Sequence, residues 1–344
     1  MARWWSVVVG SGKNPSNQNE AWLARVSPIG SGLINVSDFT QSLISTGSAV
    51  SAVGGSLPSL TMEGAHHRTL LDSGLGRDME NGMGMWVTGD AAHYNASNSD
   101  FQLAEIGVYK DIESARAGLG IGQAWDQQGL DSDGSARYNG QYLIAEIDKM
   151  ITPNIEGSVT GYYGGFDTHV SRHYQNGGGI SSSNGNTNTT STSARVRLDW
   201  LEMATLDQFT FSPYTAYTLT RAKIDGYTET GGGFPATYNS SKTESDTIRI
   251  GLDTKTSLSS TTDLSLTTEV ANNFKGNGSG VSGQIIGLGG FAVAARDTHE
   301  DWVRVLVDVD HRINKQSLIS VGVNGGSQGG DPSYGATVSY RASF

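Results

Sequence analysis

Seven histidines, His66, His67, His93, His169, His173, His299 and His311, are the side chains able to exchange protons near neutral pH. A hydrolase would need one of them beside a nucleophile or an acid. None lies in a nucleophile motif, so no catalytic residue is assigned and no enzyme activity is expected. The chain has no Cys, which removes thiolate chemistry and Cys-ligated zinc. The DSDG stretch at 131–134 opens like a calcium loop, but the later ligands of such a loop are missing, so it reads as a turn. Gly118, Gly120 and Gly122 imitate a phosphate loop, yet they alternate within a strand-like stretch that no helix follows. No metal or other cofactor is expected.

The remaining charges recur at alternate positions. Near 302–312, Val303, Val305, Val307 and Val309 alternate with Arg304, Leu306, Asp308, Asp310 and Arg312. Near 194–200, Val196, Leu198 and Trp200 alternate with Arg195, Arg197 and Asp199. Alternation puts successive side chains on opposite faces of a strand. Followed over 83–344, it collects Glu105, Arg116, Glu146, Asp148, Arg195, Arg197, Asp199, Arg249, Asp253, Glu269, Arg304, Asp308, Asp310 and Arg341 on the polar faces. Acids and bases there are nearly balanced, as in a wet interior where unlike charges pair. The predicted fold is all-β: a transmembrane antiparallel β-barrel of about 12 strands, with an N-terminal linker or helix threading the lumen.

A soluble sandwich would also alternate, and connection lengths decide between the two. Tight connections are expected at 112–113, 151–153, 204–206, 258–260 and 313–315, and long ones at 128–135, 169–189, 223–242 and 276–299. Strict parity of this kind marks an outer-membrane barrel, with short periplasmic turns and long outer loops. Residues 285–295 read as part of the last long connection. Upstream, 38–56 and 57–76 are not strongly β-patterned, and Leu60, Glu63, Ala65, His67, Leu70 and Leu71 predict a short helix ended by Gly74. The expected organisation is a passenger remnant at 1–37, a pore-threading segment at 38–82 and a barrel at 83–344.

Composition fits this reading. A net charge of -11 and a pI near 5.0 argue against nucleic acid as a partner. Only 36% of residues are hydrophobic and mean hydropathy is -0.32, with no apolar run long enough for a membrane helix. In a barrel only alternate residues face lipid, so low hydrophobicity is what the architecture requires. The stretch Val7–Val9 behind Met1–Trp5 is too short for a signal-peptide core, so the chain is expected to be a fragment or to have lost its start.

The terminal Phe344, preceded at alternate positions by Ala342, Tyr340 and Val338, resembles the signal read by the bacterial barrel-assembly machinery. With MWVTGD (85–90), ARVRLDW (194–200), YTETGGGFPA (227–236) and SGQIIGLGGF (282–291), the chain resembles the translocator barrels of monomeric, type Va autotransporters whose passengers carry HAF-type repeats. Residues 6–26 look like the last such repeat. The resemblance implies residence in the bacterial outer membrane, with the passenger at the cell surface. It also implies contact with the bilayer and lipopolysaccharide, assembly by the barrel machinery, a linker held in the lumen and a monomeric state. Some such barrels cut their linker with lumenal acids and a linker Asn. Here Asn35 with Asp308, Asp310 and Glu269 would be the available groups, but there is no tandem Asn pair, and acids gripping the linker are the expected role. The alternative is a passive porin or structural barrel with an N-terminal tail.

Overall fold

The computed structural model describes residues 6–13, 19–27, 30–64, 66–72, 82–95, 97–277, 280–294, 300–328 and 331–344. The chain opens with β1 (Ser6–Lys13), β2 (Asn19–Ser27) and β3 (Gly30–Asn35), an antiparallel three-stranded sheet, and runs directly into helix α1 (Val36–Glu63). Then come β4 (Met83–Tyr94), β5 (Ser99–Ile112), β6 (Ala115–Leu130), β7 (Gly134–Thr152), β8 (Ile155–Asn176) and β9 (Gly179–Trp200). A short β10 (Ala204–Leu206) leads to β11 (Phe209–Ile224), then β12 (Tyr227–Thr228), β13 (Ala236–Tyr238), β14 (Ser241–Ser257) and β15 (Thr262–Asn277). The chain ends with β16 (Val281–Ile285), β17 (Gly289–Val293), β18 (Glu300–Asn314), β19 (Ser317–Gln328) and β20 (Asp331–Ser343).

Twelve of these strands, β4–β9, β11, β14, β15 and β18–β20, close on themselves. Antiparallel pairing of β20 with β4 and of β9 with β11 completes the ring, so no edge remains open. Register sorts the side chains as the alternation predicts. Val303 and Val305 are 51% and 42% exposed on the outside, while the intervening Arg304 is 7% exposed. Ile106, Ile121, Leu143, Val159, Val196, Ile250, Val270 and Val321 continue this apolar band. Trp200, Phe209 and Tyr340 flank it at one rim, and Trp125, Phe274 and Tyr334 at the other. No described helix is long and apolar enough to cross a membrane.

The loop reading needs correction at the outer rim. Residues 169–189 are not a long loop: β8 and β9 are each 22 residues long and turn over at 177–178. The Ser/Thr/Asn-rich run pairs with β8 residue by residue, from Asn176↔Gly179 down to Ile155↔Trp200. Nor is 128–135 a loop beyond the 3-10 turn Asp131–Asp133. The two genuinely long connections, after β11 and after β15, carry a small outer sheet in the order β12-β13-β16-β17. Of the 285–295 segment, Ile285 ends β16 and Gly289–Val293 form β17, and neither strand pairs with the ring.

The helix also differs from expectation, starting at residue 36 and ending at Gly64. Asn35 caps it by accepting from the backbone N–H groups of Ser37 (2.9 Å) and Asp38 (3.4 Å). Of the predicted helix, Leu60 and Glu63 lie in α1, and His67, Leu70 and Leu71 lie in turns beyond it. Ala65 and Gly74 fall outside the described residues. Small residues let α1 approach the wall: a Cβ on Gly54 would meet Thr189 Cγ2 at 3.0 Å, and one on Gly55 would meet Thr243 Cγ2 at 2.9 Å. Pro58 has no N–H to offer the carbonyl of Gly54 one turn earlier. The Ser191 hydroxyl takes that role at 2.7 Å, so the wall repairs the gap in the helix.

Candidate functional site

Residue 35 and residues 66–72 lie at different levels of the lumen, and each end of the segment is held differently. At the rim of the long connections, Phe39 packs edge-on against Tyr174 with ring centroids 5.0 Å apart, and Phe234 closes over both. Arg172 lies among these rings, donating to Glu229 (2.9 and 2.7 Å), Ser42 Oγ (3.1 Å) and the Phe234 carbonyl (3.0 Å). Burial lifts the nearby Tyr227 phenol well above its ordinary value, which keeps it neutral. The β8–β9 turn reaches further up: Gly177 N–H donates to the Leu33 carbonyl (2.6 Å), and Leu33 N–H donates to Asn176 Oδ1 (2.8 Å).

Past Glu63 the linker is gripped by charge. His66 Nε2 lies 2.7 Å from Glu105 Oε1, His67 Nε2 lies 3.0 Å from Asp308 Oδ2, and Arg68 makes a forked pair with Asp310 at 2.7 and 3.0 Å. Main-chain groups are taken too. Leu70 N–H donates to Glu146 (2.8 Å) and Leu71 N–H to Asp148 (3.0 Å). Arg195 reaches the carbonyls of Met62 (3.0 Å) and His66 (2.9 Å), Arg197 that of His67, Arg304 that of Glu63 (2.8 Å) and Arg116 that of Leu70 (2.9 Å). The Glu63 carboxylate pairs with Arg249. This competition for carbonyls and N–H groups explains why the helix stops at Gly64: the wall supplies the partners that another helical turn would have supplied.

Residues 81–324 match the family model described as "Autotransporter beta-domain". The chain belongs to the autotransporter beta-domain family. The translocator domain of the autotransporter NalP from Neisseria meningitidis superposes with a TM-score of 0.67 at 12% identity, covering 87% of this chain and 98% of that one. The beta domain of the Bordetella autotransporter BrkA gives 0.52 at 11% identity, covering 76% and 98%. No curated protein matches the sequence. The protein is thus an outer-membrane translocator barrel of a Gram-negative bacterium. Its rim of tight connections faces the periplasm and its rim of long connections the exterior.

In this translocator the structure brings together most of the residues singled out by alternation. All of them are buried except Asp253, which is half-buried. Glu105, Arg116, Glu146, Asp148, Arg195, Arg197, Arg249, Arg304, Asp308 and Asp310 touch the linker directly. Asp199 and Asp253 hold Arg197, and Glu269 lies between Arg249 (3.4 Å) and Arg304 (3.5 Å). Arg341 faces inward but does not bind the linker through its Nε or Nη1. On the outside, Phe344, Tyr340 and Val338 are exposed and Ala342 is half-buried.

Sequence reasoning missed Glu63, His66, His67 and Arg68 as the linker's half of the lattice, and Trp86 and Tyr142, which both donate to Glu105. The consecutive bases at 66–68 in a segment bound for an acid-bearing lumen were the available signal. Asn35 sits at the outer end of α1, a helix of 28 residues and about 42 Å from Glu63, whereas Asp308 and Asp310 hold residues 67 and 68. Of the other histidines, His93 bonds Asp100 (2.7 Å), His169 Asn186 (2.7 Å), His173 Ser171 (3.3 Å) and His311 Thr262 (3.0 Å). His299 lies outside the described residues.

Proposed function

We propose that this barrel exports the segment N-terminal to α1 and is then plugged by its own linker. The observation that carries this reading is the direction of the chain. Residue 35 emerges at the outer rim beside the β8–β9 turn, and residues 66–71 bind the lumen wall further in, ahead of the first strand at the periplasmic rim. Residues 1–37 are then the end of an exported passenger, 38–82 the pore-threading linker and 83–344 the translocator. The HAF-type assignment of the passenger rests on the resemblance of 6–26. The lumen-facing charges act as the grip on the linker, and transport rather than catalysis is the protein's work.

The lipid-facing Phe344, Tyr340 and Val338, with Ala342 among them, form the row offered to the barrel-assembly machinery. Lipopolysaccharide contact belongs to the same reading and rests on the family resemblance, since exposed Arg221 and Lys223 at the outer end of β11 pair with Glu244 (3.6 Å) and Asp225 (2.7 Å), and a monomer suffices because the barrel has no open edge.

A porin reading is favoured by one feature. A cleft of about 460 Å³ remains between α1 and the wall, lined by Ser51, Gly55, Ser59, Thr243, Asn273, Trp302 and Asn324 among others. Planar-bilayer recordings decide between the two. A plugged translocator shows small conductance that rises sharply when residues 1–80 are deleted. Large conductance unchanged by that deletion rejects the export reading.

A further inference from the structure

The periplasmic end of the lumen holds a guanidinium that shares the charge of Asp308 and Asp310 but keeps unfilled donors among the described residues. Arg341, near the end of β20, is 5% exposed, and its Nε and Nη1 have no hydrogen-bond partner among the described residues. The acids facing it are already engaged: Asp308 by His67, and Asp310 by Arg68 and by Ser320 Oγ at 2.6 Å. Arg68, whose charge acts on Arg341 at close range, also has its Nε unpartnered. Two buried hydroxyls, Tyr109 Oη and Ser343 Oγ, also have no hydrogen-bond partner among the described residues. Register sets them in one row across three strands, Ser343↔Gly84↔Tyr109, two positions from Arg341 on the same inner face. Tyr109 lies flat over Gly84, where any Cβ would strike its ring.

Guanidinium N–H groups are donors only, and hydroxyls can donate. A buried cation with unfilled donors is costly unless an anion joins it, and an oxyanion matches the planar geometry of guanidinium. We propose that Arg341, Arg68, Tyr109 and Ser343 form a binding site for a water-borne tetrahedral oxyanion of the phosphate class. The donors lie on the inner face of the ring and not on the lipid face, so the anion is drawn from water and not from the bilayer. Bound there, it joins the last strand to β4 and β5 across the closing seam, and joins both to the plug through Arg68. Occupancy therefore stabilises the closed barrel and the seated linker together.

The test uses the full chain folded in a detergent without phosphate headgroups. Inorganic phosphate is titrated against chloride at matched ionic strength, with two readouts: ³¹P line broadening, and the temperature at which the barrel loses its resistance to cold detergent denaturation. The wild type should show saturable broadening and a raised transition. R341Q should bind roughly tenfold more weakly or worse and lose the rise. Y109F and S343A retain every charge and should weaken binding several-fold, which keeps the test decisive if R341Q folds poorly. No saturable response in the wild type, or an equal response in R341Q, overturns the site. A response to short-chain phosphatidic acid micelles without one to inorganic phosphate overturns the water-borne source.

Discussion

The two ends of the linker are held by different physics. Its outer end is anchored by rings and aliphatic groups, Phe39, Leu43 and Val50 against Tyr138, Tyr174, Phe234 and Tyr238, with the Arg172–Glu229 pair set among them. Its inner end, 66–71, is held by directed bonds to carboxylates and guanidiniums from most sides of the barrel. Apolar packing tolerates sliding and rotation, because it is non-directional. A forked ion pair has one geometry. The outer end thus supplies adhesion, while the inner end fixes register, so that each linker residue has one place in the lumen.

The contrast is broken most severely at the inner end. Glu105 accepts from His66, Trp86 and Tyr142 at once. Glu105→Leu removes the acceptor for all three and leaves buried donors unpaired, a loss of about 3–5 kcal/mol. The expected outcome in bilayers is frequent opening to the large conductance of the linker-deleted barrel. An opening rate equal to wild type would mean that the charge lattice does not hold the plug.

At the outer end, Leu43→Ala should cost about 2–4 kcal/mol through lost burial and the cavity left behind. Its signature should be local. Amide exchange should accelerate in the first turns of α1, while 66–71 stay protected by the wall. Uniform acceleration along the whole segment would show that adhesion and register are one cooperative unit.

How far the sequence discloses this depends on whether partners are near in sequence or on a common period. The ring was legible because lipid outside and water inside impose a period of two, as in Val303 to Asp310. The β8–β9 extension was not, since Ser181 to Thr192 is polar on both faces and carries no apolar beat. The helix was harder to see for another reason: Phe39, Leu43, Val50, Val53, Leu57 and Leu60 do recur at helical spacing on its buried face, but Ser42, Ser51, Gly54, Gly55 and Pro58 interleave with them and lower its helix propensity. The inner grip pairs residues 39, 241 and 242 positions apart, and no local pattern links His66 to Glu105, His67 to Asp308 or Arg68 to Asp310.

Between the two ends, the repair of Pro58 offers a smaller and sharper test. Ser191→Ala leaves the Gly54 carbonyl without its donor and should cost about 1–2 kcal/mol. Pro58→Ala restores the helix's own N–H, so the same Ser191→Ala change in that background should cost much less. Equal costs in both backgrounds, read from a double-mutant cycle on thermal transitions, would reject the repair.

The smallest effect is expected at Asn35, where the N-terminal sheet and the helix meet. Asn35→Ala removes the side-chain acceptor for Ser37 and Asp38 and should cost about 1 kcal/mol, whereas Asn35→Ser retains a capping oxygen and should cost a few tenths. The same pair of variants tests the chemical use of this residue. With the lumenal acids about 40 Å down the helix, neither variant should alter the length of the polypeptide recovered from outer membranes. A fragment present in wild type and absent from both variants would move Asn35 from the cap of the plug to the point at which the passenger is released.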